Sequence, residues 1–175
     1  MKYDLHALGI EALNAMQEEM LAEVRRHDSL VLLSPTGSGK TLGYMLPILE
    51  AMQVQPKPTV LILVPSRELA IQTQGVASRL CRDPKSYACY GGRPAMDEHR
   101  AMRSLSPQMI VGTPGRVLDH LQKGNFEYDS IDTLVIDEFD KSLELGFRQQ
   151  MADILSILPS VRKRILLSAT DSPEI

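Results

Sequence analysis

Two short segments of the sequence combine residue types that bind phosphate groups and divalent cations. The first, Leu30–Thr41, reads LVLLSPTGSGKT and lacks only the first glycine of the phosphate-binding pattern G-x-x-x-x-G-K-[ST]. Gly37 and Gly39 allow the backbone to turn its N–H groups towards phosphate oxygens. Lys40 can reach the outer phosphates of a nucleotide, and the Thr41 hydroxyl can bind Mg²⁺. Because the first glycine is missing, an ordinary glycine-rich turn between a strand and a helix stays an alternative.

The second segment, TLVIDEFD, is acidic. It places Asp137, Glu138 and Asp140 directly after an apolar run, Thr133–Ile136. Several carboxylates at one strand end repel each other unless a cation or hydrogen-bond donors compensate them. Asp137 can hold Mg²⁺ through water, and Glu138 can orient or deprotonate an attacking water. Taken alone, the segment is equally typical of a solvated acidic loop that caps the next helix.

Alternating strand and helix patterns predict how these two segments are positioned. One face of a first helix is marked by apolar residues from Ile10 to Val24, and further helices are predicted near residues 40–52, 67–81, 94–103, 115–122 and 147–157. Six strands are predicted: Ser29–Leu33, Thr59–Val64, Ser86–Tyr90, Gln108–Val111, Thr133–Ile136 and Arg164–Leu167. This alternation predicts an α/β fold, with a mostly parallel sheet of about six to eight strands and helices on both faces. The carboxyl ends of such strands lie along one edge, so the two segments can converge there as a Mg²⁺-dependent nucleotide hydrolase site.

The composition is that of a globular protein, with 43% hydrophobic and 23% charged residues in 175. This length predicts one domain, 1–175, with a sizeable core. A net charge of -3 excludes a generally basic nucleic-acid binder, so any such contact must come from a few placed groups. Cys81 and Cys89 lack metal-ligand spacing and predict reduced thiols in a cytoplasmic protein. The longest apolar runs are too short to span a membrane, so we expect no membrane association.

From about residue 9 to residue 170, the sequence resembles the DEAD-box RNA helicases. In that family the nucleotide loop reads A-x-T-G-x-G-K-T, so no opening glycine is expected, and the small Ser34 replaces the alanine. GIEALNAMQ, which contains Gly9 and Gln17, resembles the family's Q motif, with Leu13–Asn14 in place of its usual Pro-Thr pair. DEFD keeps the three acids of DEAD, but Phe139 replaces the small alanine, so we expect a change in packing behind the site.

Four further motifs follow in the family's order. VPSRELA, Val64–Ala70, is similar to the PTRELA motif, and Gly91–Gly92, the TPGR of Thr113–Arg116 and the SAT of Ser168–Thr170 come after it. Thr113–Pro114 is also a good helix start, with threonine as N-cap and proline at the first helical position. A helix start at Thr113 is compatible with a functional motif there, because a helix N-terminus is itself a phosphate site.

The resemblance implies a RecA-like P-loop NTPase domain that uses ATP and Mg²⁺. It implies that Gln17 makes ATP preferred over GTP, and a glutamine amide can pair with N6 and N7 of adenine. The implied residues are Gln17, Thr36, Gly37, Ser38, Gly39, Lys40 and Thr41 for the nucleotide, Thr41 and Asp137 for the metal, and Lys40, Asp137 and Glu138 for catalysis. Asp140 is expected to bond to Ser168 and Thr170 and so to couple the nucleotide site to strand separation.

The same resemblance implies contacts with the sugar-phosphate backbone of one RNA strand. The implied residues are Pro65, Arg67, Gly91, Gly92, Thr113, Gly115 and Arg116. Contacts of this kind position RNA without reading its sequence. They would also explain how a domain with net negative charge can bind RNA.

The resemblance covers only the first half of a helicase core. We therefore expect a monomeric N-terminal RecA-like domain that carries half of a composite ATPase site. The second RecA-like domain, with its arginine fingers, would be its partner. One alternative is a DEAH-type or DNA-directed helicase, against which Asp140 and Gln17 argue. Another is a nucleotide-gated RNA clamp or protein-docking module with little catalysis, against which Lys40, Asp137 and Glu138 argue.

Overall fold

A single sheet of six parallel strands lies at the centre of the computed structural model, which describes residues 3–35 and 39–175. The strands are β1 Ser29–Leu33, β2 Val60–Leu63, β3 Ser86–Cys89, β4 Met109–Gly112, β5 Thr133–Ile136 and β6 Lys163–Ser168. Their order across the sheet is β1-β6-β5-β2-β4-β3, and every neighbouring pair is parallel. The predicted α/β class is confirmed, and each strand lies within one residue of its predicted bounds.

Helices cover both faces of this sheet. They are α1 Ala15–Arg26, α2 Lys40–Ala51, α3 Arg67–Leu80, α4 Ala95–Leu105, α5 Pro114–Lys123, α6 Phe139–Glu144 and α7 Arg148–Ile157. The short helix α6, which starts inside the acidic segment, was not predicted from the sequence. None of the described helices is long and apolar enough to cross a membrane.

The predicted start of the first helix near Ile10 was wrong, because α1 begins only at Ala15, after a separate short turn. A 3-10 turn, Leu5–Leu8, ends at Gly9, whose φ of 71° lies in the left-handed region that favours glycine. Helix α1 then begins after Asn14, which caps it reciprocally. The Asn14 side chain accepts a hydrogen bond from the Gln17 N–H (2.8 Å), and the Asn14 N–H donates to Gln17 Oε1 (3.0 Å). Asn14, which replaces the threonine usual in the Q motif, thus supplies the N-cap oxygen that a threonine would supply.

The sheet divides the core into two apolar clusters. Alternate residues of β2 show the division: Val60 and Ile62 pack towards α1, α2 and α3, whereas Leu61 and Leu63 pack towards α5 and α7. All four are buried, which is why this strand is continuously apolar. Covered on both faces, the central strands hold their carboxyl ends rigidly at one edge, where the functional segments follow.

Candidate functional site

The glycine-rich loop leads from β1 into α2 at this edge. Thr36, Gly37 and Ser38 lie outside the described residues. Gly39 is the N-cap of α2, with a φ of 78°, so the helix begins with backbone N–H groups that point back towards the loop. Lys40 is only 6% exposed, and its Nζ donates to the carbonyl of Ser34 (3.4 Å). A buried ammonium beside a helix N-terminus is a strong attractor of anions.

Asp137 is the buried acid of the site, with 3% of its surface exposed. Its Oδ1 accepts from the Glu138 N–H (2.9 Å), and the Tyr44 hydroxyl donates to its Oδ2 (3.5 Å). Burial raises the pKa of Asp137 to about 6, with the charge of Lys40 lowering it and that of Glu138 raising it. An incompletely compensated carboxylate is the environment that a divalent cation satisfies. Asp137 and the half-buried Thr41 therefore fit the Mg²⁺ ligands that the resemblance implies.

The backbone around Glu138 is unusual. Its φ of 49° and ψ of 54° are left-handed, a conformation that costs a residue other than glycine about 1–3 kcal/mol and is often retained at functional sites. Phe139 follows as the first residue of α6, and it is 7% exposed within the apolar cluster behind the strand. The aromatic ring thus packs into the core, while the acids on either side of it remain at the edge.

The last acid of DEFD contacts the SAT segment. Thr170 Oγ1 donates to Asp140 Oδ2 at 3.3 Å, as expected. The expectation for Ser168 was wrong, because its hydroxyl donates to the carbonyl of Thr170 (2.7 Å). Ser168 is the buried last residue of β6, and this local bond follows from the turn that comes directly after it.

Gln17 joins helix α1 to the glycine-rich loop. The side chain is 7% exposed, its Oε1 accepts from Asn14, and its Nε2 donates to the carbonyl of Gly39 (3.3 Å). An amide oxygen has two lone pairs and an amide nitrogen two hydrogens. One lone pair and one hydrogen are not used by these two bonds.

The expected RNA contacts lie after β2, β3 and β4. Pro65 is buried, whereas Arg67 begins α3 and is exposed. Ser66, which replaces the family's threonine, still caps this helix by accepting from the Leu69 N–H (3.2 Å). Gly92 has a φ of 94°, and a Cβ there would lie 3.0 Å from Arg67 Nη1. The Gly91–Gly92 turn and Arg67 thus form one continuous surface.

The start of helix α5 differs in two ways from the expectation. Thr113 is the N-cap and Pro114 the first helical residue, but among the described residues the Thr113 side chain has no capping partner. The backbone N–H groups of this turn, including that of the exposed Gly115, therefore remain available to an anion. Arg116, by contrast, has a side chain only 16% exposed, and its guanidinium donates to Glu98 Oε1 and to the Arg93 carbonyl, both at 2.9 Å. It is largely turned inwards.

Sequence reasoning missed Glu98, the acceptor for Arg116. This fully buried carboxylate accepts from the Tyr90 N–H (2.8 Å) and Arg93 Nε (2.9 Å) at Oε2, and from Arg116 and His120 Nε2 (2.8 Å) at Oε1. Burial alone would raise its pKa, but these four hydrogen bonds outweigh that effect and lower the pKa to about 2. In the sequence Glu98 is one charged residue in the first turn of a polar helix, and no local pattern marks it as buried.

The parallel sheet, the loop between β1 and α2 and the buried acid after β5 define a P-loop domain of the RecA-like class. The family model described as DEAD/DEAH box helicase matches residues 14–175. The chain belongs to this family.

Individual relatives agree with that assignment. The chain is 38% identical over 172 residues to "ATP-dependent RNA helicase CshA" of Limosilactobacillus reuteri, covering 95% of this chain and 34% of the relative. It is 38% identical over 168 residues to "ATP-dependent RNA helicase DbpA" of Bacillus subtilis, covering 95% and 35%. The crystal structure of a hypothetical ATP-dependent RNA helicase from Sulfolobus tokodaii superposes with a TM-score of 0.87 and 31% identity, over 98% of this chain and 50% of that chain. The chain thus spans about a third of the length of the curated relatives it matches.

Proposed function

We propose that this chain is the ATP-binding half of an ATP-dependent RNA helicase. The observation that carries the proposal is the buried Asp137, whose carboxylate is under the influence of Lys40 and Glu138 at the carboxyl edge of the sheet. Such an acid beside a phosphate-binding lysine is the arrangement that P-loop enzymes use for a nucleotide with Mg²⁺. Membership of the DEAD/DEAH box family supports the same reaction class.

Each residue at this edge has a defined task in the proposal. Gln17 selects adenine through its unused lone pair and hydrogen, and Lys40 binds the outer phosphates. Thr41 and Asp137 would hold Mg²⁺, which when bound neutralises charge on the phosphates. Glu138 orients the attacking water and accepts its proton.

The RNA surface is proposed to lie on the other half of the same edge. Phosphate oxygens would be bound by Arg67 and by backbone N–H groups of the Gly91–Gly92 turn and of the start of α5. Because these groups contact no bases, RNA binding would be weak and independent of base sequence. The bond between Thr170 and Asp140 gives a physical connection from the acidic segment to the SAT segment, through which hydrolysis would be coupled to strand separation. The substrate in this proposal is an RNA duplex or a ribonucleoprotein.

Catalysis is proposed to need a second RecA-like domain, as the short span of this chain against its relatives suggests. An arginine finger from such a domain is typically worth roughly 10³–10⁵ in rate. The isolated chain should therefore hydrolyse ATP barely above background, without stimulation by RNA. The same chain joined to a second RecA-like domain should gain RNA-stimulated hydrolysis and duplex unwinding.

The test compares the two proteins in ATPase and strand-displacement assays with RNA and with DNA. Robust RNA-stimulated turnover by the isolated chain would contradict the half-site proposal. Equal stimulation of the joined protein by DNA would favour a DNA-directed helicase. Nucleotide-dependent RNA binding without turnover would favour a clamp.

A further inference from the structure

A buried ion network connects the two backbone segments that form the proposed RNA surface. The donors to Glu98 come from the turn after β3, through Tyr90 and Arg93, and from α5, through Arg116 and His120. A carboxylate has about four acceptor positions, so all of them are used. A second bond joins the same two segments, since Arg116 Nη2 donates to the Arg93 carbonyl.

Aromatic contacts hold Arg93 in place within this network. Its guanidinium carbon lies 4.0 Å from the centroid of the Tyr90 ring and 5.5 Å from that of Tyr87, and its Nη2 donates to the Ala88 carbonyl. The Arg67 guanidinium lies 5.8 Å from the centroid of the same Tyr90 ring. The backbone that carries Gly91 and Gly92 is therefore fixed from within the protein.

His120 is a further partner in the network. An ionised Glu98 can only accept, so His120 donates to it from Nε2, and Nδ1 of the same ring lies 2.9 Å from Asn125 Nδ2. Cys89, Glu98 and His120 place potential metal ligands within 4.8 Å of one another. Two guanidinium groups already neutralise this carboxylate, however, and burial raises the pKa of the Cys89 thiol, so the cluster suits an internal ion network and not a cation.

We propose that Glu98 is a positioning residue for RNA binding, which holds the Gly91–Gly92 turn and the first turn of α5 at a fixed separation. The inference rests on the proposed RNA contact of these two segments. Arg116 then acts chiefly through Glu98, by anchoring α5. A rigid spacing matters because backbone N–H groups cannot adjust to a phosphate in the way that a long side chain can.

The nucleotide site should be independent of this network. Strand β1, which leads into the glycine-rich loop, lies five strand spacings from β3, and β5, which leads to Asp137, lies three spacings from β3. At about 4.8 Å per spacing, these separations are roughly 24 Å and roughly 14 Å. A change at Glu98 should therefore alter RNA binding and leave the binding of ADP with Mg²⁺ unchanged. A general loss of stability would affect both.

The test uses Glu98→Ala and Glu98→Gln, with Asp97→Asn as the matched control. Asp97 is the preceding residue of α4 and is exposed, and its carboxylate forms a long 3.9 Å ion pair with Arg100. Removal of an acidic charge by itself favours binding to a polyanion, so the control should bind a labelled single-stranded oligouridylate as well as or slightly better than wild type. Glu98→Ala should instead bind it about tenfold more weakly. Glu98→Gln, which keeps one acceptor oxygen, should lie between.

Two further measurements separate positioning from folding and from the proposed function. The affinity of Glu98→Ala for ADP with Mg²⁺ should stay at the wild-type value, because the substitution does not reach the proposed nucleotide site. Exchange of the Tyr90 amide hydrogen should accelerate in both Glu98 variants. If wild type itself fails to bind RNA, the proposed RNA contact is wrong. Wild-type RNA affinity in a Glu98 variant that retains ADP binding, or unchanged Tyr90 exchange, would overturn the positioning role.

Discussion

Replacing Asp137, the buried acid of the proposed nucleotide site, should stabilise the unliganded protein. Asp137→Asn keeps an oxygen that can accept from the Glu138 N–H and removes a carboxylate that is 3% exposed. The pKa of Asp137 rises from 3.8 to about 6 in the folded state. At about 1.4 kcal/mol per pKa unit, ionisation of this group costs the folded state about 3 kcal/mol.

The sign of the pH dependence follows from the raised pKa. Below pH 3.8 the carboxyl group is protonated in both the folded and unfolded states, so it makes no difference to the free energy of unfolding. As the pH rises from 3.8 to about 6, the unfolded chain ionises first and wild type progressively loses stability relative to the variant. Above that range the variant should be more stable by a constant amount.

Urea unfolding from about pH 4 to about pH 8, without nucleotide or Mg²⁺, measures this difference. Asp129→Asn is the control, because Asp129 is exposed and its replacement should not give this dependence. Addition of ADP with Mg²⁺ should reverse the order by stabilising wild type more than Asp137→Asn. A variant that is less stable than wild type at every pH, or a difference that does not change with pH, would refute the reasoning.

Three substitutions test other parts of the account. Lys40→Ala should weaken ADP binding in a titration, since it removes the buried ammonium, and unchanged affinity would contradict its role. Glu138→Gln, in the chain joined to a second domain, should bind ATP normally but hydrolyse it slowly, and normal turnover would exclude it as the base. Gly112→Ala should lower the free energy of unfolding by about 1–3 kcal/mol, because its Cβ would lie 2.5 Å from Val117 Cγ2. Gly75→Ala should be neutral or stabilising in the same urea assay, because a Cβ there would meet no atom of another described segment within 4 Å.

Local sequence patterns predicted the sheet and the place of the glycine-rich and acidic segments at its edge. The strands are short apolar runs covered on both faces, so their composition marks them directly, as in the VLIL of β2. The loop and DEFD follow strand ends in the sequence, and a parallel sheet brings such ends to one edge. The Asn14 cap that starts α1 was not predicted, although N-capping depends only on the residues next to it.

What could not be predicted depends on contacts between distant segments. Glu98 and Arg116 are 18 residues apart, and nothing local distinguishes a glutamate that meets two arginines from one that faces water. For this reason the inward position of Arg116, which was predicted to contact the RNA backbone, could not be foreseen, and that contact stays a prediction. The expected bond of Ser168 to the distant Asp140 is replaced by a local one, because its hydroxyl donates to the carbonyl of its near neighbour Thr170.

Titration of this chain with ADP and with GDP, both with Mg²⁺, tests the central claim most directly. Gln17 lies against the loop with an unused lone pair and hydrogen, so wild type should bind ADP more tightly than GDP. Gln17→Ala should lose most of that preference while retaining affinity for the phosphates. Equal affinities of the wild-type chain for the two nucleotides, or the absence of saturable binding of either, would contradict the account.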